Sequence, residues 1–580
     1  VLAAAIAVPA GCAQVPAAPS ASQRLNALAD EALEREMDIN PLIESFRIGR
    51  GPRAGKLGAA FTDRVRTESV ALWSDVKRRL HEVPHSQLAG TDRVTWKMLE
   101  RQADIAIAQA EFPMRRMTLV AQQGGIASTI VGLATAWQPL ETEADFENWL
   151  ARVDALPPAL ESALSELRAD LGAGMTAPRA LVEKALVQMK ALTGPVESTS
   201  LWAPVKRYPA SAGPQARDDW VRRYRASMAR LQPVLRRLEA FTREEYLPKA
   251  RTTSGIGALP GGEAAYRVMV RVNTTTDLPP DEIHELGVRE VARIQPRLLA
   301  AARSIGFGGS MKELSGWLGS DPANLPFKAP GEVIERLKGM HARIAPQLPK
   351  LFKRVPKAAF DIRLVDPVLA PTSSAHYRSP SADGSSPGIF FMPVVDARRT
   401  RFSGLGSLLL HEGVPGHHFD NGLKREMDLP RFRKYRNIPA FGEGWGLYAE
   451  SLGHELGMYD DPRLLVGRYT AEVFRAARLV VDTGIHARGW SRERAIDYLV
   501  AETGASVAGA TSEVERYMAN PGQALAYKIG ELTILDLRAR AQAALGPRFD
   551  IRDFHEVVLQ ESHIPLAMLR ERVAAWLAAR

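Results

Sequence analysis

His411-Glu412-Gly413-Val414-Pro415-Gly416-His417-His418 is the stretch that decides how this chain is read. It nearly spells the helical H-E-x-x-H pattern, in which histidines at i and i+4 share one helical face and bind one zinc while the glutamate activates water. Here Pro415 occupies i+4. In an unbroken helix of roughly 100° and 1.5 Å per residue, i+6 lies about 120° off the face of His411, and i+7 lies about 10 Å further along the axis. Neither suits two ligands each about 2 Å from one ion. Proline cannot donate to the carbonyl of His411 and its ring crowds that carbonyl, so the helix must deform there. Gly416 tolerates unusual backbone angles. The expectation is a two-residue bulge at Pro415-Gly416 that brings His417 to the metal with His411, leaves Glu412 as general base and turns His418 elsewhere, as a neighbour of the ligands. A buried His-Glu pair behind Leu408-Leu409-Leu410 also needs a partner for its polar groups.

A third ligand is found downstream in Phe441-Gly-Glu-Gly-Trp-Gly-Leu-Tyr-Ala-Glu450. Glu443 and Glu450 fall on one face of a helix lined by Trp445, Leu447, Tyr448 and Leu452. Glu443 is the expected ligand. Glu450 is either a carboxylate that orients a ligating imidazole through its other nitrogen, or part of a solvated face. A competing pair, Glu450 with His454 at i+4, lacks an adjacent base. The expected cofactor is one Zn2+ per chain, held by His411, His417 and Glu443.

Together, His-Glu-x-x-Pro-Gly-His-His and Glu-Gly-Trp-x-Leu-Tyr-x-Glu resemble the bacterial family known as domain of unknown function 885. That family is similar to helical gluzincin-type zinc metallopeptidases related to thimet oligopeptidase and the Taq-type carboxypeptidase. The resemblance extends to Tyr377 with Pro380, Asp383-Gly384 and Pro387 to Phe391, to Asp482 through His486 with Gly489-Trp490, to Pro521 through Gly530, and to Phe554-His555 with Pro565-Leu566. It departs at Ser386, where arginine is common, at Gly446, where alanine is usual, and at Asp420, where glutamine is frequent. The resemblance implies a mainly α, two-lobed body with a deep channel and a peptidase-like zinc site. Tyr527 and His486, in segments that carry the resemblance, are candidate hydrogen-bond donors to a developing oxyanion. Tyr377, Gly388 and Tyr448 are candidate substrate contacts.

Three functions stay open: a zinc metallopeptidase acting on short or unfolded peptides, a zinc hydrolase of other amides or esters, and a surface binding protein without catalysis. An intact Glu412 argues against the last, since a binding site needs no base beside a metal.

The chain has 580 residues, 46% of them hydrophobic, enough to bury a large core. Its net charge of +9 arises from 75 basic and 66 acidic residues spread along the sequence, without a basic tail or an aromatic-basic module, so no nucleic-acid partner is expected. The single cysteine, Cys12, ends the apolar run from Val1. Ala10-Gly11-Cys12 resembles a lipobox, which predicts a lipid anchor on Cys12, a membrane-surface partner and a periplasmic or otherwise extracytoplasmic location. The alternative is an ordinary cleaved secretory signal. Residues 1–22 are therefore read as signal and linker, 23–250 as a helical lobe and 251–580 as the catalytic lobe, with the boundary at Gly255 to Gly262. Oligomeric state is left open.

Leu25, Leu28, Leu33 and Met37, and later Leu160, Leu164, Leu167 and Leu171, repeat at helical spacing and predict buried stripes. Pro157-Pro158 and Gly172 to Gly174 read as breaks. Ala359 to Val365 and Gly388 to Val395 read as short strands just before the His-Glu helix. Ser379 to Gly388 reads as a loop, lining the cleft or simply connecting the strands.

Overall fold

The computed structural model describes residues 19–580 except 210–211, 368–369, 371–372 and 381–385. Cys12 and Asp383-Gly384 lie outside the described residues. The fold is mainly helical with one small sheet. Helices before the sheet include α1 (Ala21–Ile39), α2 (Arg64–His81), α3 (Gly90–Ala110), α4 (Glu143–Gly172), α5 (Pro214–Phe241), α6 (Gly262–Thr274) and α7 (Pro280–Ser304). Around the site come α8 (Leu405–Glu412), α9 (His417–Glu426), α10 (Pro439–Ser451), α11 (Pro462–His486) and α12 (Ala526–Leu545). Among the described residues no helix is long and apolar enough to cross a membrane.

The predicted stripes are buried. Ser20 and Gln23 form a capping box that starts α1, and Leu25, Leu28, Leu33 and Met37 all face the interior. The helix α4 buries Leu160, Leu164 and Leu167, yet it runs straight through Pro157-Pro158. Those prolines do not end it because Trp149, Leu150, Val153 and Leu156 before them and Leu160 and Leu164 after them share one apolar core. Pro158 is exposed, so its ring sits on the solvent side. Tertiary burial outweighs the local cost of about 3 kcal/mol for an interior proline.

The interior forms three hydrophobic clusters. One joins α1, α2 and α3 to the helices around the site, a second is built from residues 42–250 around α4 and α5, and a third packs α7 against α11. Apolar and ionic contacts both cross the division expected at residue 250: Trp73 of α2 lies 6.5 Å from Phe432, and Glu36 of α1 pairs with Arg436 at 2.9 Å. The segment expected as the boundary, Gly255 to Gly262, packs closely at its start. A Cβ on Gly255 would lie 1.9 Å from the carbonyl oxygen of Ile485, and one on Gly257 would lie 2.3 Å from that of His486.

The sheet has strand order β1-β3-β2, with β1 (Phe360–Leu364) parallel to β3 (Gly388–Met392) and β2 (His376–Arg378) antiparallel to it. Central β3 buries Ile389 and Phe390, and its C-terminal end leads through two short turns into α8. The sheet sits against α9, the helix that begins at His417.

Candidate metal centre

The helix bearing His411 ends at Glu412, and a second helix begins at His417. The interruption is a complete break, larger than the predicted two-residue bulge. Gly413 N–H makes the last bond of the first helix to Leu409, at 2.9 Å, and the carbonyl of Gly413 then accepts from His418 N–H at 3.0 Å. The Val414–Pro415 peptide is cis. Trp445, from α10, donates its indole N–H to the Pro415 carbonyl at 2.8 Å and pins the turn from outside. Gly416 passes so close to α8 that a Cβ there would lie 2.0 Å from the carbonyl oxygen of His411.

This turn brings the imidazoles of His411 and His417 together, with centroids 4.8 Å apart and planes 81° apart. Glu443 meets both. Its Oε2 lies 3.4 Å from His411 Nε2 and 3.5 Å from His417 Nε2. Among the described residues these three are the group whose donor atoms converge for a metal, all within 4.8 Å of one another. Two ligands about 2.1 Å from a tetrahedral zinc are about 3.4 Å apart, so the observed spacings fit that ion. Side-chain exposures of 18% for His417 and 22% for Glu443 leave the donors within reach of solvent, while His411 is buried.

The charges are tightly coupled. Burial disfavours a charged His411, but Glu443 and Glu450 outweigh it and push its pKa up to about 9. His417 is raised for the same reason, with burial opposed chiefly by Glu443. Burial likewise opposes ionisation of Glu443, yet the two imidazoles hold it well below the usual carboxylate range. A cation binding here replaces protons on the nitrogens. Glu412 is half-buried at the end of α8 and outside the converging trio, though its charge acts on both histidines.

Glu450 is fully buried and takes the other ring nitrogen of His411, Nδ1 to Oε1 at 2.9 Å. Burial is opposed first by Arg475, whose guanidinium lies 3.7 Å away, and then by His411, so Glu450 stays ionised below its ordinary range. The carboxylate fixes the tautomer that leaves Nε2 free to ligate. The alternative pair is not assembled, because Glu450 faces His411 while His454 is exposed and packs on Tyr459. Replacing Glu450 with glutamine is expected to weaken zinc affinity by about 10–100-fold, measured by competition with a chelator, with the fold intact. Unchanged affinity would show that Glu450 does not tune the site.

Glycines set the close packing. Gly444 of α10 touches Gly530 of α12, where an added Cβ would meet the Gly530 Cα at 2.5 Å. This crossing delivers Glu443 and Tyr527 to the same place. Gly446, where the resemblance has alanine, lies under His411, and a methyl there would come within 2.8 Å of the ring.

The other predicted residues divide. Tyr527 reaches the site: its ring lies 6.3 Å from that of His411, planes 21° apart, and the Arg478 guanidinium sits 4.6 Å from its centroid. Burial and then the charge of Glu443 raise its pKa, so it remains a phenol able to donate. His418 turns toward the sheet, its Nδ1 3.1 Å from the Tyr377 hydroxyl and its ring 4.7 Å from that of Phe360. Burial pushes its pKa down to about 4. Gly388 opens β3 beneath this pair, and a Cβ there would meet His418 Nδ1 at 2.4 Å and the Tyr377 hydroxyl at 2.5 Å.

Two expectations are corrected. His486 is fully buried with both nitrogens engaged by backbone, Nδ1 accepting from Ile256 N–H at 3.2 Å and Nε2 lying 3.0 Å from the Tyr517 carbonyl. It ties the end of α11 to the 255–257 segment and has no donor left for an oxyanion. Tyr448 is also fully buried, its hydroxyl 2.7 Å from His555 Nε2, which leaves no surface for a substrate.

Several residues near the site escaped the sequence reading. Arg468 and Arg475 on α11 back Glu450, and His563 reaches Asp420, one turn after His417, at 2.6 Å. The signal for the arginines was present: Arg468, Glu472 and Arg475 lie on a helix whose Val466, Val473, Ala476 and Leu479 mark it as buried. Nothing in the sequence pairs Asp420 with a histidine so far downstream.

Fold and site together define a mainly helical protein with a His-His-Glu cluster of metal-ligand geometry. The chain belongs to the family described as "Bacterial protein of unknown function (DUF885)", whose model matches residues 45–573. Its structure is similar to a crystal structure described as "the putative lipoprotein from Colwellia psychrerythraea", with a TM-score of 0.89 and 27% identity over 97% of this chain and 100% of that one. A "putative lipoprotein of unknown function from Shewanella oneidensis" shares the fold, with a TM-score of 0.73 and 16% identity over 96% of this chain and 99% of that one. No curated protein matches the chain.

Proposed function

We propose that this protein is a zinc-dependent hydrolase of the gluzincin type, acting on short or unfolded peptides. The observation that carries this reading is the convergence of His411, His417 and Glu443 at ligand spacing, with Glu412 adjacent and outside the trio. Two imidazole nitrogens and a carboxylate oxygen are the donor set of a catalytic zinc that keeps a fourth position open. When bound, zinc supplies Lewis acidity toward the scissile carbonyl and lowers the pKa of water.

The chain's own residues do the rest. Glu412 accepts a proton from the attacking water and returns it to the leaving amine. Glu450 holds His411 in one orientation and one tautomer. Tyr527, kept protonated beside Glu443, donates to the oxygen on which negative charge develops. The two-lobed body with a deep channel belongs to this reading as the route by which peptides enter. So does location: the lipobox-like Ala10-Gly11-Cys12 and the description of both structural neighbours support a lipoprotein tethered outside the cytoplasm.

The test is a peptide library incubated with the purified protein, with and without a zinc chelator, and read by mass spectrometry. Cleavage abolished by chelator and restored by zinc is expected. Failure to cleave any peptide, combined with chelator-sensitive hydrolysis of amides or esters, would replace the peptide substrate with another acyl compound.

A further inference from the structure

His417 and Glu443 are carried by separate helices, and the break between Glu412 and His417 uncouples α9 from α8. The 3.5 Å between His417 Nε2 and Glu443 Oε2 therefore depends on what fastens α9 to the start of α10. A side chain from a third part of the chain lies between them. His563 belongs to the link between the helices Ile551–Leu559 and Leu566–Ala578 and is 4% exposed. Its Nε2 meets Asp420 Oδ2, on α9, at 2.6 Å, and its Nδ1 meets the carboxamide oxygen of Asn437, two residues before α10, at 3.0 Å. The imidazole also lies against the first turn of α10. Its centre is 5.3 Å from that of the Phe441 ring, and a Cβ on Gly442 would lie 3.1 Å from its Cε1. Glu443 is the next residue, and Asp420 lies one turn after His417.

The link that presents His563 is itself held firmly. Ser562 has a φ of 58°, in the left-handed region that residues with a side chain rarely adopt. Such a conformation persists only where the surroundings impose it. Glu561 supplies that hold, its carboxylate accepting from Arg433, Arg572 and Thr91 at 3.0, 3.1 and 3.1 Å. A second tie runs beside the first: Lys424 of α9 donates to the Arg436 carbonyl at 2.7 Å. An imidazole is a rigid ring, so one bond at each nitrogen fixes the separation of its two partners. Site geometry has to be held to about 0.5 Å by supporting contacts of this kind.

We infer that His563 is a positioning residue for the metal centre: it braces α9 against the start of α10 and so sets the separation of His417 and Glu443. The inference rests on the metal reading of the His411, His417 and Glu443 trio and is independent of hydrolysis. The experiment uses the full-length protein loaded with cobalt(II), which accepts the same donors as zinc and whose visible absorption reports coordination geometry. Zinc affinity is measured alongside by competition with a chelator.

Replacing His563 with alanine is expected to weaken zinc binding by about tenfold or more and to alter the cobalt spectrum. His486→Ala removes another buried histidine bonded at both nitrogens, and is expected to lower Tm while leaving both readouts as in the parent. Asp420→Ala should reproduce the His563→Ala result. Asp420→Asn, which keeps a hydrogen bond to Nε2, should recover most of the affinity that alanine loses. Should His563→Ala not fold, the two Asp420 variants carry the comparison. Parental affinity and spectrum in folded His563→Ala or Asp420→Ala protein, no recovery with asparagine, or an equal change in His486→Ala would overturn the assignment. A parent that binds neither ion would refute the metal reading and this inference with it, whereas a parent that binds both and is matched by the variants would refute the inference alone.

Discussion

Replacing Glu412 with glutamine is expected to lower peptide hydrolysis by about 10²–10⁴-fold while the protein retains its zinc. The substitution keeps the shape of the side chain and removes only its capacity to take up a proton. Glu412 closes α8 immediately after His411, half-exposed, and its atoms lie outside the group that converges for the metal. Metal content should therefore be unaffected, and the loss should fall on kcat. Binding of a peptide should persist, since the glutamine occupies the same space. A variant that turns over normally would mean that another group acts as base. A variant that loses its zinc would mean that Glu412 belongs to the metal's own ligands.

The second large effect is expected from Gly416→Ala. A methyl group there would lie 2.0 Å from the carbonyl oxygen of His411 and 2.3 Å from that of Leu410, both of them backbone atoms. No side-chain rotation relieves such a contact, so the start of α9 has to move away from the end of α8. His417 leads α9 and moves with it. Overpacking in a closely fitted interior costs about 1–3 kcal/mol, and the displacement should also separate His417 from Glu443. The expected outcome is a lowered Tm together with loss of zinc that persists after refolding in excess metal. Retention of full zinc affinity would show that the turn has room to relax without moving His417, and that its close approach to α8 does not set the metal geometry.

Much of the centre was legible because ligand spacing is a sequence property. His411 and His417 could be chosen from the distance between helical turns once Pro415-Gly416 is read as an interruption, and Glu443 from the carboxylate that gluzincin-type sites place on a second helix downstream, and the structure brings those three together. The form of the interruption was not legible. Whether Pro415-Gly416 makes a bulge or a full break depends on who satisfies the freed backbone groups, and the answer comes from Trp445 on another helix. The misreadings of His486 and Tyr448 have the same origin. Residue type says that a histidine or tyrosine can donate, but its role is set by the partners it meets, here Ile256 and Tyr517 for one and His555 for the other.

The fold divides similarly. Helical stripes such as Leu25 to Met37 announce that one face is buried without saying against what: they place α1 to α3 in the helical lobe read over residues 23–250, and give no sign that these helices share a hydrophobic cluster with the site helices. The strands β1 and β3 were visible as short apolar runs. With only three residues, none of them buried, β2 offers no pattern to read, and only its pairing with Ile389 to Phe391 defines it.

The most direct measurement of the central claim is the metal content of the purified full-length protein, compared with His417→Ala and His418→Ala variants after equal exposure to zinc. The account predicts about one zinc per chain in the parent and in His418→Ala, and none retained by His417→Ala through dialysis. It is contradicted if the parent holds no stoichiometric zinc, or if zinc survives removal of His417 and is lost with His418.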